Sequence, residues 1–259
     1  MRIVTWNVAG IRSRITNVTE FLKRYKVEFL CLQEVKCDES KFPFDEFEAI
    51  GYKIILNSQP QYNGVAIVYK EGNYKVDRIK SPDILKADGR FLTVKILQNK
   101  KELYLSNLYA PNGNPINSDK YSNKISWLRA LLKYSKELAS NNTANILAGD
   151  FNIIRTSNDA ANIEKWKNDA LFALRPRAFL NRIISYGYHD ISNLCCIDPE
   201  YTFWDYRGRA WEKNDGIRID LMLFSSPALN YLKGMYTFSE ARGWEKPSDH
   251  VPVITLLEM

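Results

Sequence analysis

The sequence is poor in the residues that staple small folds or bind soft metals. Cysteine occurs 4 times in 259 residues and histidine twice. Cys31, Cys37 and the adjacent pair Cys195 and Cys196 form no C-x-x-C pair and no zinc spacing. A disulfide scaffold and a zinc centre are therefore excluded, and reduced structural thiols are expected. No run of eighteen apolar residues occurs, so no membrane span is expected. The opening stretch, Arg2 followed by only a few apolar residues before Asn7, lacks the pattern of a signal peptide. A soluble, cytoplasmic protein follows as an expectation. There is no G-x-S-x-G elbow, no Walker A loop and no G-x-G-x-x-G after a strand, which removes three common catalytic classes. No Pro/Gly/Ser linker or low-complexity segment divides the chain, so one domain spanning 1–259 is expected.

What is present is globular in composition: 45% hydrophobic, 25% charged and 13% aromatic residues. Lysine and arginine exceed the acids by a formal +6, which permits a polyanionic partner, an acidic membrane surface, or neither. Short apolar runs end in polar residues. Ile3 to Trp6 leads to Asn7, Phe29 to Leu32 to Gln33 and Glu34, Leu103 onward to Asn107 and Tyr109, and Asn145 to Gly149 to Asp150. Each reads as a buried strand delivering a polar group at its carboxyl end. Helical periodicity separates the members of each pair. Ile15, Val18, Phe21, Leu22 and Tyr25 share one face, as do Ile125, Leu128, Leu131, Leu132 and Leu138. Strand, helix, strand, acid thus occurs in 3–34 and again in 103–150, which predicts two similar halves: an α/β fold with two packed sheets and helices outside. Further strands are predicted at 52–56, 65–69, 90–97, 217–224 and 251–257, and a helix at 177–186, started after Pro176. The stretches 57–63, 111–119, 155–168 and 205–216 are candidate binding loops.

A lone strand-end acid is readily explained as a turn or helix cap. Asn7, Glu34, Tyr109, Asp150, Asn152, Asp220 and Asp249 from separate elements are better explained as the lining of one cleft. Their hard oxygen donors fit Mg²⁺. His189 reads as structural or surface. His250 follows Asp249 at the mouth of the last strand, where it can pair with Asp220, an acid in an otherwise apolar run. Such a pair orients an imidazole for acid or base work.

Taken together, Trp6-Asn7-Val8-Ala9-Gly10-Ile11-Arg12, Leu32-Gln33-Glu34-Val35-Lys36, Asn107-Leu108-Tyr109-Ala110-Pro111-Asn112-Gly113, Gly149-Asp150-Phe151-Asn152, Tyr201 to Arg207, Arg218-Ile219-Asp220 and Ser248-Asp249-His250-Val251-Pro252 closely resemble the exonuclease III family of abasic-site endonucleases, within the DNase I-like superfamily. The motifs run in family order from residue 1 to about 256, and Glu245-Lys246-Pro247-Ser248-Asp249-His250 narrows the branch. The resemblance implies a four-layered α/β sandwich. It implies Mg²⁺, with Mn²⁺ able to substitute, on Glu34 supported by Asn7 and Asp249, with Asp150 and Asn152 near a second position and His250 at the edge of the set. His250, held by Asp220, would meet the scissile phosphate. Asp150 would activate water or protonate the leaving oxygen with Asn152 as partner, and Tyr109 would face the phosphate. The choice between Asp150 and His250 as base, and between one metal and two, stays open at this level.

Phe203, Ile217 and Ile219 correspond to an apolar pocket for a flipped sugar without a base. Trp204 is assigned to the core, and Ile217 stands where other members carry a large aromatic. Arg207 would wedge into the duplex, and Lys36, Asn112 and Arg175 would meet phosphates. The segment 158–168 fits the family least. The activity implied is incision 5′ to abasic sites in double-stranded DNA, with 3′-to-5′ exonuclease and 3′-phosphodiesterase activity on blocked ends, by a monomer of the compact bacterial form. The competing readings are a superfamily phosphodiesterase acting on phosphoinositides or sphingomyelin, and a DNA-binding protein without catalysis.

Overall fold

The apolar runs form strands because they are buried on both faces. The computed structural model describes residues 1–195 and 200–259, so Cys196 lies outside the described residues. β1 (Arg2–Asn7), α1 (Ile11–Tyr25) and β2 (Phe29–Gln33) form a parallel βαβ unit. α2 (Phe44–Glu48) leads to the hairpin of β3 (Tyr52–Asn57) and β4 (Val65–Lys70). β5 (Lys75–Ile79), α3 (Asp83–Lys86) and β6 (Phe91–Gln98) precede a second parallel unit, β7 (Lys101–Tyr109), α4 (Asp119–Ser140) and β8 (Asn145–Asp150). α5 (Leu174–Ser185), β9 (Tyr188–Asp190), α6 (Ser192–Cys195), β10 (Asp220–Ser225), α7 (Ser226–Leu229), β11 (Leu232–Thr237) and β12 (Val253–Leu257) follow. The strands make two six-stranded sheets, ordered β11-β12-β1-β2-β4-β3 and β5-β6-β7-β8-β10-β9.

Alternation along the strands sorts side chains into three apolar layers. Val4, Trp6, Leu30 and Leu32 pack with Val18, Phe21 and Leu22 of α1. Ile3, Phe29 and Cys31 point the other way and meet Val94, Leu105, Ile146 and Met222 of the second sheet. The far face of that sheet, Leu147, Leu221 and Leu223, packs on Leu128 and Leu131 of α4 and Leu180 of α5. The result is the four-layered α/β sandwich implied by the motifs. No described helix is long and apolar enough to cross a membrane.

Two local devices hold the strand ends in place. Gly149, at φ +146°, lies so close to β7 that a Cβ there would sit 1.9 Å from the Leu108 carbonyl oxygen. A buried polar bridge joins the sheets just below the cleft. The Gln33 amide donates to Asn107 Oδ1 at 2.7 Å, and the Asn107 amide donates to the Leu32 and Ala66 carbonyls at 2.9 and 2.8 Å.

Several predicted boundaries are corrected. The strand expected at 217–224 begins at Asp220, because Ile217 pairs instead with Ala160 and Phe203 in isolated bridges. Asp220 therefore opens its strand and does not interrupt it. The last strand starts at Val253, since Pro252 has no N–H to give the ladder. The helix expected from 177 begins at Leu174, with Pro176 in its first turn, where its missing donor costs nothing. β5, β9 and β11 escaped the pattern reading. All three stand at sheet edges; half-exposed polar residues blur the alternation of β5 and β11, and β9 is only three residues long.

Candidate active site

Asn7, Tyr109 and Asp150 end the parallel strands β1, β7 and β8, and Glu34 directly follows β2. Asp220 opens β10, which runs antiparallel to β8 with Asp220 opposite Asp150. His250 precedes β12, which runs antiparallel to β1. Carboxyl ends of parallel strands and amino ends of their antiparallel neighbours thus share one edge of the sandwich. The Asn7 amide spans the two sheets, donating to Glu34 Oε1 at 2.9 Å and to Asp150 Oδ2 at 3.0 Å. His250 Nδ1 lies 2.8 Å from Asp220 Oδ2, and its Nε2 lies 3.9 Å from Asp150 Oδ2. The backbone N–H of Asn152 donates to Asp150 Oδ1 at 2.8 Å and its amide to Oδ2 at 3.2 Å. Glu34 and Asn152 both hold positive φ, +53° and +49°, a strained backbone kept in place by these contacts.

The electrostatics follow from burial and crowding. Burial, then Asp220 and Glu34, push the Asp150 carboxyl well above the usual carboxylate range, against the pull of His250 and the Asn152 N–H. Burial opposes charge on His250, but the Asp220 carboxylate, aided by Asp150 and Asp249, raises its imidazolium to about 10. Burial also works against the Glu34 carboxylate, yet Lys36, the Asn7 amide and His250 keep it below its ordinary value. Burial and the neighbouring Glu34 and Asp150 carboxylates keep the Tyr109 phenol protonated far above its ordinary range. One acid is thus ionised, one is reluctant to ionise, and the imidazole is cationic.

Glu34, Asp150 and His250 each offer a ligand atom within 4.8 Å of the others. Two hard carboxylates crowded in a buried site suit a divalent cation, whose charge would relieve their mutual repulsion. The Asn7 Oδ1 is turned to the Ala9 N–H at 3.0 Å, so Asn7 serves here as the donor between the two acids.

The other predicted residues fall in distinct places. Asp249 is not among the three converging groups; it is half-buried, with its carbonyl taking the Trp204 N–H at 2.9 Å and Oδ1 3.4 Å from Ser248 Oγ. Lys36 Nζ sits 2.6 Å from Glu34 Oε2 at the cleft rim. The exposed Asn112 donates to Asn152 Oδ1 at 3.4 Å. Arg175 is exposed in the first turn of α5. Phe203 stands edge-on to the His250 ring, centroids 4.9 Å apart. Phe203 and Ile217 line a cavity of about 370 Å³ closed by Trp166, with Lys165, Asp215 and the exposed Arg207 at its walls. Ile219 is buried beside Ile217 in the cluster of Ile154 and Leu171 beneath that cavity. Trp204 is core, as expected.

Reasoning from sequence missed the supports. Thr202 Oγ1 accepts from the N–H groups of Ile219 and Asp220, both at 3.1 Å, and Ser248 Oγ donates to the Asn7 carbonyl at 2.7 Å. Arg218 is buried between Asp159 and Asp190 at 2.7 and 2.9 Å. Lys124 is fully buried and donates to three backbone carbonyls. Its signal was present, because it precedes Leu128 and Leu131 by one and two turns on the apolar stripe of α4.

Acids, amides and a charged imidazole converging where two stacked sheets share an edge define a hydrolytic enzyme centre of the hard-cation class. The chain belongs to the Endonuclease/Exonuclease/phosphatase family, whose profile matches residues 4–250, and within it to the exonuclease III and AP endonuclease branch of nucleases. It is 25% identical to Exodeoxyribonuclease III of Haemophilus influenzae over 98% of both chains. An AP endonuclease from Archaeoglobus fulgidus is 30% identical, with a TM-score of 0.89 over the full length of both chains. A 3′ phosphatase from Neisseria, solved with a product DNA hairpin, is 28% identical with the same score and coverage.

Proposed function

We propose that this nuclease is a Mg²⁺-dependent DNA repair enzyme that hydrolyses the phosphodiester 5′ to abasic sites in duplex DNA. The proposal includes 3′-to-5′ exonuclease and 3′-phosphodiesterase activity, Mn²⁺ as a substitute ion, and action as a cytoplasmic, nucleoid-associated monomer. The observation that carries it is the convergence of Glu34, Asp150 and His250 within 4.8 Å, beside a cavity with Phe203, Trp166 and Ile217 on one side and charged residues at its walls, whose Phe203 stands edge-on to the His250 ring. A baseless sugar is cheap to extrude and presents mainly apolar surface to such a wall.

Glu34, with Asp150 beside it and the Asn7 amide bridging the two, would hold the cation, which would supply positive charge to a phosphoryl group that gains negative charge during attack. The rest is the work of the side chains. His250, kept cationic by Asp220, offers its Nε2–H to a non-bridging phosphate oxygen. The Asn7 and Asn152 amides and the protonated Tyr109 phenol add donors where charge develops. Asp150, reluctant to hold its charge, takes a proton from the attacking water. The new bond is water oxygen to phosphorus, and the bond that breaks is phosphorus to the 3′ oxygen. That oxygen takes a proton from solvent, and Asp150 returns its own to solvent, giving a 3′-hydroxyl and a 5′ sugar phosphate.

The test is a duplex with one abasic site, incubated with Mg²⁺ or with EDTA beside a 3′-recessed duplex. Nicking 5′ to the site that EDTA abolishes is expected. An intact abasic strand in Mg²⁺ overturns the proposal.

A further inference from the structure

Lys124 is fully buried, and among the described residues its hydrogen-bond partners are backbone carbonyls and not a carboxylate. Its Nζ donates to the carbonyls of Asn112 at 2.9 Å, Asn152 at 2.7 Å and Ala170 at 3.3 Å. These belong to the loop after β7 and to the two ends of the long connection from β8 to α5. Its stem is equally constrained. A Cβ on Gly113 would lie 2.6 Å from Lys124 Cδ, so the loop after β7 closes onto the lysine only because residue 113 is glycine at φ +87°.

Two of these segments carry groups that reach Asp150 or its immediate partner. Asn152 holds both Asp150 oxygens, through its backbone N–H and its amide, and Asn112 donates to Asn152 Oδ1. The Lys124 bond to Asn152 is therefore one step from the Asp150 carboxylate and the bond to Asn112 two steps, while the Ala170 segment is tied to the loop after β7 by the Ala170 N–H, which donates to Asn114 Oδ1 at 3.0 Å. An ammonium has three donors, and this one spends one on the loop after β7 and two on opposite ends of the β8–α5 connection. Burying a charge without an ionic partner is costly, and an aliphatic side chain would pack the same stripe of α4. We infer that Lys124 is a positioning residue, a three-way latch that fixes the loops holding Asp150 and Asn152 in the geometry needed for phosphodiester cleavage. It touches no reacting atom, and it rests on the reading of this cleft as the hydrolytic site.

Lys124→Met removes the three donors and keeps an apolar stem. On the abasic duplex kcat is expected to fall about 10- to 100-fold, as misplacement by roughly an ångström does, while KM stays within about threefold. Amide exchange should speed up at 111–114, 151–153 and 169–172 and stay slow in β1, β2, β7 and β8. Lys133→Met, exposed on the same helix, should change neither quantity. Gly113→Ala pushes on the lysine stem with the charge retained, and should show the same split with a smaller loss; it decides the matter if Lys124→Met does not fold. Unchanged kcat with unchanged loop exchange overturns the latch, as does loss of KM and kcat in parallel with general loosening of the sheets. Exchange needs no substrate, so a wild-type protein inert on abasic DNA would sink the functional reading and still leave the latch tested.

Discussion

His250 shows how one neighbour sets the chemistry of a residue. Its ring is 4% exposed, a setting that alone would strip its charge, and the carboxylate of Asp220 at 2.8 Å reverses the outcome. Asp220→Asn should therefore cut kcat by about 10²-fold or more with little change in KM, and steady-state kinetics on an abasic duplex would show a lower alkaline limit of activity. The same pair makes a prediction about stability. The imidazole pKa rises from 6.5 to about 10 on folding, so the native chain binds the extra proton. Its contribution is complete below pH 6.5 and is lost as pH climbs through 10. In metal-free buffer the thermal midpoint should fall between pH 6.5 and 10, and His250→Gln should flatten that fall. A wild-type midpoint that is constant over the window would rule out the charged pair.

Between elements, spacing decides more than composition. β7 and β8 lie parallel because Gly149 offers no side chain where the Leu108 carbonyl approaches. Gly149→Ala forces the strands apart, and a loss of about 3 kcal/mol or more is expected by denaturant unfolding. The parallel strands β1, β2, β7 and β8 were legible in the sequence because burial on both faces makes them continuous apolar runs that stop at a polar residue. The same stop marked Asn7, Glu34, Tyr109 and Asp150, so half of the site could be read along with the strands. The His250–Asp220 pair was legible from an acid amid apolar residues. What could not be read is long-range. Arg218 meets Asp159 across 59 positions, and Lys124 meets Ala170 across 46, with no local pattern to announce either contact. The Arg218 contact is itself testable: Arg218→Met leaves Asp159 and Asp190 buried without their partner, a loss of about 3–5 kcal/mol.

Over the whole molecule, the formal +6 is unevenly distributed. Glu34, Asp150, Asp220 and Asp249 stand in or beside the cleft, so the remaining surface is more basic than the total states. Lys36 at the cleft rim and Lys165 and Arg207 around the adjoining cavity bring part of that excess next to the site. A duplex held by such groups releases counterions on binding, so affinity should fall as salt rises. Even two or three phosphate contacts imply a loss of about 10- to 40-fold between roughly 50 and 200 mM salt. The chemical step draws on groups buried from the salt, and single-turnover cleavage at saturating enzyme should hold steady over the same range. Binding measured by fluorescence anisotropy in EDTA, beside single-turnover cleavage in Mg²⁺, separates the two. Affinity that ignores salt would mean the basic surface is not the DNA-holding surface, whereas a cleavage rate that falls with salt at saturation would mean that rim lysines or arginines reach the reacting phosphate.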